Sequence, residues 1–279
     1  MLSDQIATTR GTAILALRDV FTVTDASYDK ALRPIIVEIL TAMMRDSDVE
    51  NRRLSLNTFN AAVRNKRELI LPHLSILLPL VMDQTFEDQS LIREVSMGPF
   101  KHKVDDGLEV RKVSLTSPKV HESHVNVRQS AYETVYTIME IAPTRVDIVK
   151  VYDRVIAGVG DEHDIRTLCN LMLTKLMVLA PEETARRLDD IADQFRSVLG
   201  IKLKETAVRH EYERADEAKK GIIKVSLELS KVFPGETVST ASGAIISRPK
   251  WSDLLEHIRK EHGSLLKDVE KDMREKESP

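Results

Sequence analysis

Pro34-Ile-Ile-Val-Glu-Ile-Leu-Thr-Ala-Met-Met44 decides the fold class. Its apolar residues Ile35, Ile36, Ile39, Leu40, Met43 and Met44 fall at i, i+1, i+4, i+5, i+8 and i+9. That spacing makes one wide stripe on a helix and gives no strand-like alternation. Pro34 reads as part of the first turn, where a missing N–H costs nothing. The same period continues downstream in Leu54, Phe59, Ala62 and Val63, then in Leu74, Leu77, Leu78 and Val81. It returns in Ala131, Val135, Ile138, Met139 and Ala142, and in Ile148, Val149, Tyr152, Val155 and Ile156. Leu168, Leu171, Met172, Leu176 and Leu179 read as the next stripe, followed by Leu188, Ile191, Ala192, Phe195 and Leu199. A charged helix from about Lys204 closes with Leu229 and Val232. Short connections between such segments predict antiparallel helix pairs.

Composition agrees with an all-α chain. Of 279 residues 42% are apolar, enough for a continuous core, while aromatics (4%) and glycines (10) are scarce for an all-β fold. The 41 basic and 44 acidic side chains nearly cancel, so the net charge of −3 gives no long-range attraction to nucleic acid or anionic lipid. Neither is expected as a partner. No apolar run reaches the ~18 residues of a membrane span, and Met1–Arg10 does not read as a signal peptide. Cys169 is the single cysteine, which excludes an internal disulfide and a four-cysteine zinc site. It falls in an apolar stripe and reads as a buried thiol more readily than as a nucleophile.

A repeat is visible. Asp48-Val49 precedes Arg52, Asn126-Val127 precedes Arg128, and Asp164-Ile165 precedes Arg166. Each reads as a polar helix cap, a β-branched core residue and an arginine that bonds a neighbouring loop. Arg128 and Arg166 are 38 residues apart, and Arg52 and Arg128 are 76 apart. A unit of that length lies near HEAT-type helix pairs, which bury their faces only by stacking into a solenoid.

Ser90–Gln129 breaks the rhythm and adds about one repeat-length of chain. Within it, Arg93-Glu-Val-Ser-Met-Gly-Pro-Phe-Lys-His-Lys-Val-Asp-Asp-Gly107 reads as a β-hairpin turning at Gly98-Pro99. Met97 then faces Phe100, Val95 faces His102, Arg93 faces Val104 and Glu94 opposes Lys103. Val95, Met97, Phe100 and Val104 share an apolar face. Proline is awkward at a second turn position, so a loop wider than two residues is expected. An isolated hairpin is marginal in water and needs something to pack on. Val113–Gln129, polar and proline-containing, reads as a loop.

These residues also carry a resemblance. Leu91-Ile-Arg-Glu-Val-Ser-Met-Gly-Pro-Phe-Lys-His-Lys-Val-Asp-Asp-Gly-Leu-Glu-Val-Arg-Lys112 resembles the signature of the cullin-associated, neddylation-dissociated protein family. It matches their C-terminal part, the TATA-binding-protein-interacting domain. Tyr28–Ile36, Arg52–Asn60, Asp164–Leu173 and Arg187–Asp190 are similar to the same family. The likeness runs from about residue 5 to 233. Family members are much longer solenoids, so this chain resembles only the C-terminal end of one. Val113–Gln129 has no counterpart in the family pattern. Deleting it joins Val110-Arg-Lys112 to Ser130-Ala-Tyr-Glu133 as one amphipathic helix, as a lineage-specific insertion or translated intron would.

The resemblance implies an all-α, HEAT-type solenoid (an armadillo-like superhelix) over residues 1–233, with one projecting β-hairpin. It implies a non-catalytic regulator in the cytoplasm and nucleus that binds a cullin. The hairpin would occupy the surface that a Skp-type adaptor uses, so that substrate receptors on the ubiquitin ligase are exchanged. Val95, Met97, Gly98, Pro99, Phe100, Lys101 and His102 are the expected contacts. Met97 and Phe100 would supply on the order of 3–6 kcal/mol before ordering costs. Lys101 and Lys103 would orient the encounter with acidic residues. A separate N-terminal chain of the same family is a further possible partner. The alternative is a repeat scaffold for a transport or phosphatase complex, which a pull-down without cullins would favour.

No cofactor, metal or catalytic residue is expected. His121 and His124 flank Glu122 without further ligands beside them. Gly158-Val159-Gly160 lacks the third glycine of a dinucleotide site and reads as a helix-ending turn. There is no P-loop, Gly-x-Ser-x-Gly or His-Glu-x-x-His. Arg209–Lys220, with its mixed charges, reads as a solvated helix face. Residues 234–249 read as a flexible linker and 250–279 as one amphipathic helix capping the solenoid's end. The N-terminal end, near Ile6–Phe21, resembles half a repeat with a face to cover.

Overall fold

A computed structural model describes residues 1–23, 26, 28–86, 92–97, 100–105, 119–201, 203, 208–239 and 245–277, with backbone alone at 92–97, 100–105, 119–124, 239 and 276–277. The chain is all-α, of HEAT type, and carries a β-hairpin. It divides into two compact units, Met1–Val146 and Asp147–Pro279.

The first unit holds α1 (Ala7–Thr22), the short α2 (Asp29–Leu32), α3 (Ile36–Met44), α4 (Val49–Asn65), the short α5 (Arg67–Ile70), α6 (Leu74–Asp83), β1 (Ile92–Met97), β2 (Phe100–Asp105) and α7 (Lys119–Ile141). Its helices form two layers. In one, α4 lies between α1 and α7; in the other, α3 packs on α6. The pairs α3–α4 and α6–α7 bridge the layers. The stripe at Ile35–Met44 behaves as spaced: Ile36, Leu40, Met43 and Met44 are buried. Ile35 is exposed because the helix starts one residue later, leaving Pro34 in the preceding turn. Phe59, Ala62 and Val63 of α4 and Leu74, Leu77, Leu78 and Val81 of α6 complete the core with Ala131, Val135, Ile138 and Met139 of α7.

The second unit holds α8 (Ile148–Val159), α9 (His163–Leu179), α10 (Pro181–Leu199), α11 (Arg209–Val232), β3 (Thr237–Ser239), β4 (Ile245–Ser247), α12 (Pro249–Glu261) and α13 (Gly263–Glu277). One layer runs α9, α11, α13 and the other α8, α10, α12, so three helix pairs stack. Pro181 and Pro249 stand at the first helical positions, where no N–H is missed. The mixed-charge start of α11 is solvent-exposed as read, with Arg209 to Glu213 at 2.8 Å on its surface.

Several expectations change. Val113–Gln129 is not a loop throughout: α7 begins at Lys119, and 113–118 lie outside the described residues. Asn126 is therefore inside α7 and caps nothing. Asp164 is likewise the second residue of α9. Residues 234–249 are not a featureless linker, because β3 and β4 pair antiparallel with Thr237 opposite Ser247. The tail is two helices, interrupted at His262, and both pack within the second unit on α10 and α11. In α9 the buried face is Ile165, Cys169, Met172, Leu173 and Leu176, whereas Leu171 and Leu179 are exposed.

Candidate functional site

The candidate site lies in the stretch of chain that connects α6 to α7. The chain leaves α6 through a turn in which buried Thr85 donates its hydroxyl to the Met82 carbonyl oxygen at 2.7 Å. It re-enters the helical stack along α7, where Val127 is the first buried residue among those described. There α7 is fastened to α4: the Arg64 guanidinium donates to Thr137 Oγ1 at 2.9 Å, and Thr134 Oγ1 lies 3.4 Å from the Leu56 carbonyl oxygen.

Between these anchors β1 and β2 pair antiparallel in the register read from the sequence. Met97 stands opposite Phe100, Ser96 opposite Lys101, Val95 opposite His102, Glu94 opposite Lys103 and Arg93 opposite Val104. The pairing extends one step further than expected, to Ile92 and Asp105. Met97 and Phe100 are themselves paired, and the wider loop expected from Pro99 falls on residues outside the described ones. Gly98, Pro99, Asp106 and Gly107 lie outside the described residues.

Two of the repeated arginines bond neighbouring turns. Arg52 donates to the Asp46 carbonyl oxygen at 2.9 Å, closing the α3–α4 turn. Arg166 donates to the carbonyl oxygens of Val159 and Asp161 at 2.9 and 2.7 Å, closing the α8–α9 turn. Arg128 is buried within α7. These arginines belong to the second helices of their pairs, so the doubled spacing from Arg52 to Arg128 is one pair enlarged by the hairpin. Asp48 caps α4 by accepting the Asn51 N–H at 2.9 Å. The same turn binds α1: Asp46 accepts from Arg10 Nε and Nη2, both at 2.7 Å, and Asn51 Nδ2 donates to the Ala7 carbonyl oxygen at 3.0 Å.

The remaining motifs are structural. Cys169 is fully buried, and burial pushes its thiol well above the usual range, away from a nucleophilic thiolate. Gly160 follows the last residue of α8, so Gly158-Val159-Gly160 ends a helix. Among the described residues, no group of three or more His, Cys, Asp or Glu side chains could hold a metal ion. The side chains of His121, Glu122 and His124 lie outside them. No described helix is long and apolar enough to cross a membrane.

Stacked helix pairs with a hairpin set inside one pair define a HEAT-type helical-repeat protein. Comparison with known proteins is more specific. The family model described as TATA-binding protein interacting (TIP20) matches residues 69–117 and 120–259. The chain is 45% identical over 253 residues to the Emericella nidulans "Cullin-associated NEDD8-dissociated protein 1, C-terminal part", covering 90% of this chain and 22% of that protein. It is 34% identical over 265 residues to the Drosophila melanogaster protein 1 of that name, covering 93% and 20%. It is also 34% identical over 259 residues to the Rattus norvegicus protein 2, covering 92% and 19%. The chain belongs to the cullin-associated NEDD8-dissociated protein family, and spans about a fifth of the length of these relatives.

Proposed function

We propose that this chain is a non-catalytic regulator of cullin–RING ubiquitin ligase assembly. It binds a cullin and competes with a Skp-type adaptor through the hairpin, so that substrate receptors are exchanged. One observation carries the reading: in a chain of this family, β1 and β2 pair so that Met97 meets Phe100 at the turn. Two apolar side chains at a hairpin end make a compact anchor of the kind that dominates interface energies, and methionine adapts to irregular sockets. Val95, Gly98, Pro99, Lys101 and His102 complete the contact, with the lysines setting orientation.

Two finer statements belong to the same reading. Ile6 just before α1 and Leu15 on it are exposed, and the relatives are about four to five times as long, which supports a further repeat array, or a separate N-terminal chain, covering that helix. The site of action is the cytoplasm and nucleus, which fractionation with a labelled chain checks.

The decisive experiment is co-purification with a cullin, with and without the adaptor. Wild type competes with the adaptor. Met97→Asp combined with Phe100→Asp abolishes the competition while the helical circular dichroism stays unchanged. Undiminished competition by that variant removes the hairpin from the mechanism.

A further inference from the structure

Helix α13 is the last helix of the second unit and the one least held by it. Among the described residues Val269 is its one buried side chain, with Leu265, Leu266 and Met273 half-buried, whereas α12 buries Trp251, Leu254, Leu255 and Ile258. It packs on α11 and on α12. Elements with few buried apolar contacts open first. The joint that ties it to α12 is His262. Its N–H donates to the Ile258 carbonyl oxygen at 3.0 Å, closing α12, and its carbonyl oxygen accepts the Leu266 N–H at 2.9 Å, opening α13. Gly263 follows, with open space where a Cβ would stand, so the backbone can bend there without a clash.

Three basic groups gather at this joint. The half-buried rings of His262 and His257 stand edge-on, with centroids 5.6 Å apart and an angle of 79° between their planes. Lys219 acts on the same ring from α11, half-buried and without an ion pair among the described residues. The opposing charge is Glu261, the last residue of α12, and the first turn of α13 carries no acidic residue. Neutral imidazoles can stack edge to face, but two imidazoliums at that distance, beside a lysine, repel. Burial, then His257 and Lys219, already disfavour the charged form of His262 and outweigh Glu261.

We propose that His262 is an acid-sensitive latch, which holds α13 against α11 while its ring is neutral and releases the helix as the ring takes up a proton. Release returns the ring to water and separates it from Lys219, so the open form binds the proton more tightly than the docked form. Docking is therefore favoured above the ordinary histidine value of 6.5 and progressively lost below it. What acid uncovers is the side of α11 on which α13 lies. Helix α12 stays in place, because fully buried Trp251 anchors it. The hairpin takes no part, so the latch stands or falls separately from the cullin reading.

The test is hydrogen–deuterium exchange of the full chain, read by mass spectrometry at about pH 7.5 and about pH 5.5 with the intrinsic exchange rates divided out. Protection of α13 relative to α12 falls by at least about threefold at the lower pH. His262→Gln abolishes that fall, and Lys219→Gln reduces it. Circular dichroism at the higher pH checks that both variants fold. Should His262→Gln fail that check, the wild-type ratio and its reduction in Lys219→Gln still decide. No relative change in wild type, equal loss of protection from α12 and α13, or a fall that persists undiminished in either variant would each overturn the proposal.

Discussion

Asp46 shows how one side chain fastens a terminal helix. Its carboxylate is nearly buried and accepts from Arg10, from Asn51 Nδ2 at 3.3 Å and from the Asp48 N–H at 2.8 Å. The Arg10 hydrogen bonds, opposed by burial, hold its pKa below the ordinary 3.8. A lowered carboxylate pKa adds stability that is present above the unfolded value and lost as pH falls through the folded one. Asp46→Asn therefore unfolds more easily in denaturant at neutral pH and loses less stability on acidification than wild type. An unchanged acid limb would rule this pair out as its cause. His262 gives a pH dependence of the same sign for a different reason, because its surroundings disfavour the charged form. It stands edge-on to His257 with ring centroids 5.6 Å apart. Burial first, then His257 and Lys219, lower its pKa from 6.5, against the opposite effect of Glu261. The unfolded chain takes up this proton before the folded one, so stability falls as pH drops through the middle sixes. Denaturation midpoints at about pH 7.5 and about pH 5.5 should converge in His262→Gln.

At the scale of elements, caps and buried anchors hold the pairs together. Asp48→Ala removes the acceptor for the Asn51 N–H, and a cost of about 1 kcal/mol is expected in equilibrium unfolding. The C-terminal pair hangs on Trp251. It is fully buried, its Nε1–H donates to the Phe233 carbonyl oxygen at 3.0 Å, and its backbone N–H donates to Asp189 at 3.0 Å. Trp251→Ala should cost about 3–5 kcal/mol, read from the denaturant midpoint. A loss below about 1 kcal/mol would mean that α12 is not a structural part of the second unit. The hairpin was the most legible element. Side chains alternate with period two, so Gly98-Pro99 and the apolar residues on either side suffice to set the register from Arg93 to Val104.

At the scale of the whole molecule, the division at Val146 predicts that residues 147–279 form a folding unit. Expressed alone, they should give helical circular dichroism and one cooperative thermal transition; a broad, non-cooperative melt would contradict it. Helix existence was legible because a wide apolar stripe is a local property, as in Ile36 to Met44. The phase of a stripe is not local. Leucines at 168, 171 and 179 look equivalent along α9, yet α8 and α11 flank the Ile165–Cys169–Met172–Leu176 face and leave Leu171 to solvent. The close approach of Asn170 to Gly221, where a Cβ on the glycine would lie 3.1 Å from Nδ2, escapes the sequence for the same reason, since neither residue has meaning until two helices distant in sequence lie side by side. The tail followed suit: α12 and α13 gain their order from contacts with α10 and α11. The sequence by itself determined the helical class, the hairpin and the family, because periodicity, strand parity and a long uncommon string are written along the chain. Only the tertiary structure decided which helix faces are core and which distant residues meet, because burial is set by neighbours far away in sequence.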